Sequence, residues 1–142
     1  MEQKIKKIVE SLGIGYIFDD WSRANLKADK PTILYPLCVN LLPVSGTFSF
    51  YSGIVKDSPN CLFAFLDKTD LDFDGKENSE IVERMKNLAL KFIAKLNSSG
   101  VFEPIEGDIR YSVVYDKLDV NLTGITIEIT LKPLRGICEE TL

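Results

Sequence analysis

Two segments of the chain repeat their apolar residues with the period of an α-helix. In the first, four apolar residues share one face at spacings of i, i+3, i+4 and i+7: Ile5, Ile8, Val9 and Leu12. This pattern predicts a short amphipathic helix that ends at Gly13. The second helix is longer, because apolar residues recur every three or four positions from Ile81 to Leu96. Acidic residues lie near its start and basic residues near its end, as the helix dipole favours.

Other segments alternate apolar and polar residues or are continuously apolar, as strands are. They cover residues 14–18, 32–42, 47–52, 61–66, 109–115 and 125–131. Residues 44–46 and 57–60 predict turns, and the polar stretch 19–30 predicts a loop with at most a helical turn. Pro36 interrupts its run, so we expect it at a sheet edge or bulge. The last two strands form a hairpin, whose corner falls either at residues 116–117 or at 121–124.

The predicted order of elements is α-β-β-β-β-α-β-β. Short turns between strands favour antiparallel pairing, so we expect an α+β fold with a mainly antiparallel sheet of about five to six strands. The two helices should pack on one face, which leaves the other face for solvent or for assembly. Residues 1–142 form one domain by length, and residues 133–142 are a polar C-terminal tail.

Composition excludes several kinds of chemistry. The chain has no histidine, so Ser-His-Asp and Cys-His nucleophiles and histidine-ligated zinc are ruled out. Its net charge of -4 and the lack of a basic stripe argue against specific nucleic-acid binding. Cys38 and Cys61 lie in apolar runs and are expected in the core, whereas Cys138 lies in the polar tail. No cofactor is expected.

No apolar run approaches the roughly 20 residues that span a bilayer, and the N-terminus lacks the apolar stretch of a signal peptide. We therefore expect a cytoplasmic protein with no membrane partner.

An acidic loop before the long helix is the densest local motif. It repeats the first half of an EF-hand calcium loop through Asp70, Asp72, Asp74 and Gly75. The twelfth position, where an acidic ligand is needed, falls on the apolar Ile81. The preferred interpretation is a helix start that Asp74 or Asn78 caps, with Glu77 completing a capping box around Asp74. A calcium site at the three aspartates is the weaker alternative.

The aromatic residues divide into expected core and expected surface. Without a basic groove to make them a nucleic-acid platform, most are assigned to the core: Phe48, Phe50, Phe63, Phe65, Phe73, Phe92, Tyr111 and Tyr115. Trp21, Tyr35 and Tyr51 are instead candidates for a protein interface, where aromatic residues are enriched.

Several acidic residues flank the final hairpin: Glu103, Glu106, Asp108, Asp116 and Asp119. A two-carboxylate hydrolase would need such residues to converge in a cleft. Acidic residues at turns are usually only solvated, so an enzyme is not expected.

The element order and one stretch near the C-terminus resemble small neck and tail proteins of long-tailed phages, nearest to the tail-terminator (tail-completion) family. The stretch is a strand from Tyr111, then an Asp-x-Asn-x-Thr-Gly-Ile element at residues 119–125, then an alternating strand to Leu131. Its polar residues Asp116, Asp119 and Asn121 join the interface candidates. The long polar segment 19–30 and the tail after Pro133 have no counterpart in this pattern.

The resemblance implies a non-enzymatic subunit of a ring, usually a hexamer, at the head-proximal end of a tail tube. Its partners would be further copies of itself and other tail or connector proteins, with DNA passing through unbound. Its location would be the bacterial cytoplasm, or the virion if a phage encodes it. The alternative is a small cytosolic protein-binding or regulatory module, with calcium dependence through the Asp70–Gly75 loop as one form of it.

Overall fold

The computed structural model describes residues 1–70 and 72–142, and of residues 42–44 it describes the strand but not the side chains. Within these residues three α-helices and five main strands form an α+β fold, which confirms the predicted fold class. The helices are α1 (Glu2–Glu10), α2 (Trp21–Ala28) and α3 (Gly75–Ser98). The strands are β1 (Gly15–Asp19), β2 (Leu37–Tyr51), β3 (Ile54–Lys68), β4 (Tyr111–Lys117), β5 (Leu122–Thr130) and the short β6 (Ile137–Cys138).

One mixed sheet organises the molecule. Its strand order is β1-β2-β3-β5-β4, and β6 pairs with the far end of β3. Only β1 and β2 pair in parallel among the described strands, and the remaining pairs are antiparallel. The sheet therefore has β1 at one edge and β4 at the other.

Both faces of the sheet are covered, each by its own apolar cluster. Helices α1 and α3 pack on one face, where Phe92 of α3 lies against Phe63 and Phe65 with ring centroids 4.9 and 5.4 Å apart. Helix α2 packs on the opposite face through Ala24 and Ala28. The expected two-helix face is therefore present, but a third helix covers part of the face that was expected to be open.

Helix α2 occupies the polar stretch that was expected to be a loop. Its first turn is capped by Asp20, whose carboxylate accepts a hydrogen bond of 2.8 Å from the backbone N–H of Arg23. One turn apart, Ala24 and Ala28 form its buried stripe. The loop prediction is wrong because two alanines are a weak apolar signal, although they suffice for close contact with a sheet.

The turns predicted at 44–46 and 57–60 are also wrong, because β2 and β3 run through both. They form one long hairpin that turns at Ser52 and Gly53, both with positive φ (50° and 78°), as a tight two-residue hairpin turn requires. A register shift between Leu41 and Ser45 divides β2 into a core part and a distal part. We call the distal hairpin, residues 45–60, the arm.

Pro59 lies inside the arm although proline usually breaks a strand. It pairs with Gly46 of β2, and its carbonyl accepts a hydrogen bond of 2.9 Å from the N–H of Leu131 just beyond β5. Its nitrogen faces the same side, where the ladder with β5 begins only at the next residue, Asn60. A missing donor at that point costs no ladder hydrogen bond. Pro36 directly precedes β2, and its carbonyl accepts from the N–H of Gly15.

The polar C-terminal segment folds back onto the arm. Ile137 and Cys138 of β6 pair with Val55 and Ile54 of β3. Gly136 passes so close to this strand that an added Cβ would meet the side chain of Ile54. Residues 139–141 then end the chain in a single helical turn.

Of the two remaining local predictions, the helix cap is confirmed and the corner of the final hairpin is not. Helix α3 begins at Gly75, and Asp74 caps it by accepting a hydrogen bond of 2.9 Å from the N–H of Glu77, as the capping interpretation required. The final hairpin turns at residues 118–121, between the two corners considered from sequence. Leu118 and Asn121 take up positive φ there.

Candidate interaction surface

The arm exposes large aromatic side chains that no other part of the described chain covers. Phe48, Phe50 and Tyr51 are 69%, 66% and 82% exposed. The assignment of Phe48 and Phe50 to the core is wrong. They alternate with polar residues as in a half-buried strand, but the arm projects past the region where α1 and α3 cover the sheet.

The base of the arm is held by polar contacts. Asn60 donates to the hydroxyl of Ser45 at 3.2 Å and accepts from the hydroxyl of Thr130 at 2.5 Å. Lys56 forms an ion pair of 3.4 Å with Glu103. The contacts with Thr130 and Glu103 join the arm to the body, whereas its aromatic residues near the tip remain in solvent.

A second exposed apolar surface lies on the edge strand β4. Tyr111, Val113 and Tyr115 point to the face that carries α3, and they are 50%, 38% and 57% exposed. The core assignment of the two tyrosines is wrong because α3 lies over β3 and β5 and stops short of the edge. The ammonium of Lys86 on α3 sits 4.8 Å from the Tyr111 ring centroid.

An apolar groove of about 300 Å³ runs between α3 and this edge. Leu90 of α3, which is 63% exposed, borders the groove together with Ile93 and Ile109. Lys86 donates to Glu83 at 3.0 Å, and this contact, followed by one with Tyr111, raises the pKa of Lys86. The groove is therefore apolar along its length, with the Lys86–Glu83 ion pair at one side.

The outer edge of β4 carries free backbone groups. The carbonyl of Arg110 accepts from the N–H of Glu128 at 3.5 Å, and the N–H of Asp116 donates to the hydroxyl of Thr123 at 3.3 Å. Arg110 therefore turns its carbonyl toward β5, whereas Asp116, with a φ of 46°, lies in the register shift between Val114 and Lys117. Because this direction alternates along a strand, the N–H and C=O groups of residues 111, 113 and 115 point away from the sheet.

The interface candidates Trp21, Asp119 and Asn121 come together where α2 meets the last hairpin, and they contact their own chain. Asp119 makes two hydrogen bonds with Asn25 of α2, of 2.8 and 3.0 Å. Trp21 is half-buried beneath the ammonium of Lys117, 4.7 Å from the ring centroid. The carbonyl of Asn121 accepts from the N–H of residue 69 at 2.9 Å. This cluster holds α2 to the turn.

The other three candidates lie apart from that contact. Tyr35 is half-buried, and its hydroxyl donates to the carbonyl of Ala28 at 2.8 Å. Asp116 is exposed at the end of β4 with a φ of 46°. Tyr51 lies at the tip of the arm, at the opposite end of the strands from the β4–β5 turn. The structure therefore does not gather the sequence-based candidates into one site.

The acidic loop uses its carboxylates for local structure. Asp74 caps α3, and Asp70 accepts a hydrogen bond of 3.1 Å from the N–H of Asp72. Leu71, inside the candidate calcium loop, lies outside the described residues. Among residues 1–70 and 72–142, no three acidic or cysteine side chains are grouped as a metal ion would need.

The acidic residues near the final hairpin fall into two places. Glu103, Glu106 and Asp108 line an open depression with Glu128, whereas Asp116 and Asp119 lie toward the β4–β5 turn. The depression also contains Lys132. This arrangement does not bring all five predicted acids into one cleft.

The thiols differ sharply in exposure. Burial raises the pKa of Cys61 to about 11 and also raises that of Cys38, whereas Cys138 is exposed. The first two are therefore protonated, inert core residues at neutral pH, as expected from sequence.

No family model, curated protein or solved structure matches the chain. In the described part of the chain, no helix is both long and apolar enough to cross a membrane.

Proposed function

We propose that the protein is a non-enzymatic assembly subunit that forms a ring with copies of itself, as the resemblance to phage tail-terminator and neck proteins implies. The observation that supports this proposal is the arm, which holds Phe48, Phe50 and Tyr51 in solvent at the end of a long hairpin.

The apolar surface on the arm is large for a protein of this size. Aromatic side chains bury about 150–250 Å² each when covered. At the observed exposures, Phe48 and Phe50, which share one face of the arm strand, present roughly 200–340 Å², and Tyr51 adds to the opposite face. A patch of this size approaches the largest one on a typical monomer, about 300–600 Å². Such patches usually mark an interaction site, because leaving them in water is unfavourable.

The shape of the arm favours a head-to-tail contact. Each strand of the arm has about seven residues, so it reaches roughly 23 Å beyond the core at 3.3 Å per residue. An element that projects from one subunit meets a different surface on the next, and contacts of this heterologous kind form a ring when the rotation between subunits closes. A net charge of -4 suits a ring through which DNA passes without being gripped.

The experiment compares assembly of the wild type and of arm variants by sedimentation velocity and negative-stain electron microscopy. The wild type should form rings as its concentration rises, and Phe48→Ser with Phe50→Ser should shift it to smaller species. The control is Thr47→Ala with Ser49→Ala, exposed residues on the other face of the same arm strand, which should assemble normally.

A wild type that stays monomeric at millimolar concentration would contradict the proposal and favour the small binding module. Assembly that is unaffected by the two serine substitutions would contradict the role of the arm.

A further inference from the structure

From the edge strand β4 we infer a second self-association surface, in which β4 strands of two copies pair antiparallel about a twofold axis at Val113. The pairing joins two six-stranded sheets into one continuous sheet. It uses a different part of the molecule from the arm, so it does not depend on the ring proposed above.

The backbone alone restricts how two β4 strands can pair. The free N–H and C=O groups belong to residues 111, 113 and 115, so these residues must face one another across the new contact. An axis at Val113 does this, since it sets Val113 opposite its own copy and Tyr111 opposite Tyr115. A shift of the partner by one residue would place a residue that bonds to β5 opposite a free one, and the ladder would not form.

The side chains agree with the same alignment. Tyr111, Val113 and Tyr115 lie on one face, so the contact forms a row of tyrosine, valine and tyrosine from both copies. Aromatic pairs directly across strands are among the more favourable cross-strand contacts. Their exposure of 38–57% shows that they have surface left to bury. The exposed Leu90 of α3 adds to the apolar surface beside the row.

Several positions of the twofold axis would pair the free backbone groups with one another. Charge complementarity favours the axis at Val113 among them. With Val113 at the centre, Arg110 of each copy, one residue before β4, lies nearest to Asp116 of the other, the residue at which β4 shifts its register. Both residues are exposed, and neither takes part in an ion pair within the described part of the chain. Moving the axis by one residue to 114 would instead set Tyr111 opposite Lys117. A second copy therefore supplies the opposite charge at both ends.

The strand also lacks the usual protection of a sheet edge. Natural edge strands are commonly blocked by lysine, proline or an inward charge. Residues 111–115, Tyr-Ser-Val-Val-Tyr, contain none of these, and the register shift and Lys117 lie only at the C-terminal end of β4. An unprotected edge with three exposed apolar side chains is a template for pairing, and the self-complementary sequence indicates that the partner is another copy.

Cysteine cross-linking tests the geometry directly. In a Cys138→Ser background, Val113→Cys places two thiols on residues whose Cα atoms lie about 5.5 Å apart in a hydrogen-bonded pair, within disulfide range. The matched control is Ser112→Cys, also exposed, whose copies are displaced diagonally by two residues and lie about 8 Å apart, outside that range. Under mild oxidation, Val113→Cys should give a covalent dimer as the main product, whereas the control should stay largely monomeric. Equal rates for the two variants would overturn the inference.

Charge exchange tests the alignment without altering the edge itself. Arg110→Asp creates two like-charge contacts in the dimer and should raise its dissociation constant about tenfold or more. Arg110→Asp combined with Asp116→Arg should restore wild-type affinity, and the distant Arg135→Asp should have little effect.

The inference would be refuted if the double variant failed to restore dimerisation, or if the wild type formed no dimers at millimolar concentration. The edge of β4 would then be a binding site for a strand from another protein. The Phe48→Ser, Phe50→Ser variant should still dimerise through β4. Loss of rings with retention of this dimer therefore separates the two proposals.

Discussion

Replacing Phe92 by alanine tests whether α3 is held on the sheet mainly by aromatic packing. The Phe92 side chain is fully buried, and its ring makes edge-on or tilted contacts with Phe63 and Phe65 at centroid distances of 4.9 and 5.4 Å. Truncation of a buried phenylalanine to alanine typically costs 3–5 kcal/mol, since a cavity remains where the ring was. Two aromatic contacts, each worth about 0.5–1.5 kcal/mol, place the expected loss near 4 kcal/mol.

The measurement is urea unfolding, followed by circular dichroism for the helices and by the fluorescence of Trp21. For an m-value of about 2 kcal/mol/M, the midpoint should fall by about 2 M. Leu90→Ala on the same helix is the control, because its side chain is 63% exposed and should change the unfolding free energy by less than about 0.5 kcal/mol. Both proteins are measured at low concentration, where self-association is absent. A loss below about 1.5 kcal/mol for Phe92→Ala with an unchanged m-value would refute this account of the core.

Three other properties can be checked in the same way. Asn25→Ala removes both hydrogen bonds to Asp119 and should lower the unfolding free energy by about 1–2 kcal/mol, and a change near zero would show that α2 is not held by this contact. The hydrogen bond from Lys27, at 2.8 Å, lowers the pKa of Asp19, so its stabilising effect is present above the unfolded-state pKa of about 4 and is lost as pH falls below it. The stability difference between wild type and Asp19→Asn should accordingly shrink in acid, and a difference independent of pH would contradict this. An aromatic disulfide reagent should label Cys138 quickly in the native protein and the other two thiols only after unfolding.

Local patterns in the sequence were sufficient to predict the buried face of a helix or strand that other parts of the chain cover on one side. The stripe of α3 and the alternation of β5 predict their buried faces correctly, because each residue type matches its surroundings. Asp74 likewise predicts the start of α3, since a helix cap depends only on residues three positions apart. These features rest on short-range physics that a single sequence contains.

The arm could not be recognised in this way. Phe48 and Phe63 both lie in apolar, β-prone runs, yet one is 69% exposed and the other is fully buried. Alternation shows which residues share a face of a strand, but not whether another element lies over that face. The position of α3 relative to the sheet decides this, and it depends on packing between residues distant in sequence. The Ser52-Gly53 pair was the available signal for the true turn.

Similar reasoning explains α2 and the scattered interface candidates. The contact between Asn25 and Asp119 joins residues 94 positions apart, and nothing in either local pattern indicates it. Trp21 and Asp119 were chosen as exposed residues, whereas the fold uses them to attach α2 to a turn. The edge of β4 was missed as a surface because strand order determines which strand lies outermost.

The register shift in β2 affects how mutation can alter the direction of the arm. Between Leu41 and Ser45, β2 has three residues where β3 has one. Because β3 is continuous and the Ser52-Gly53 turn fixes the register of the arm, deleting one residue there would leave Phe48 and Phe50 paired with Asp57 and Val55 and would change the bend between the arm and the core ladder. The deletion of one residue would thus point the aromatic surface of the arm toward a different neighbour, while the strand pairs of the core stay unchanged. The junction is a point at which evolution or design could change the assembly while keeping the subunit.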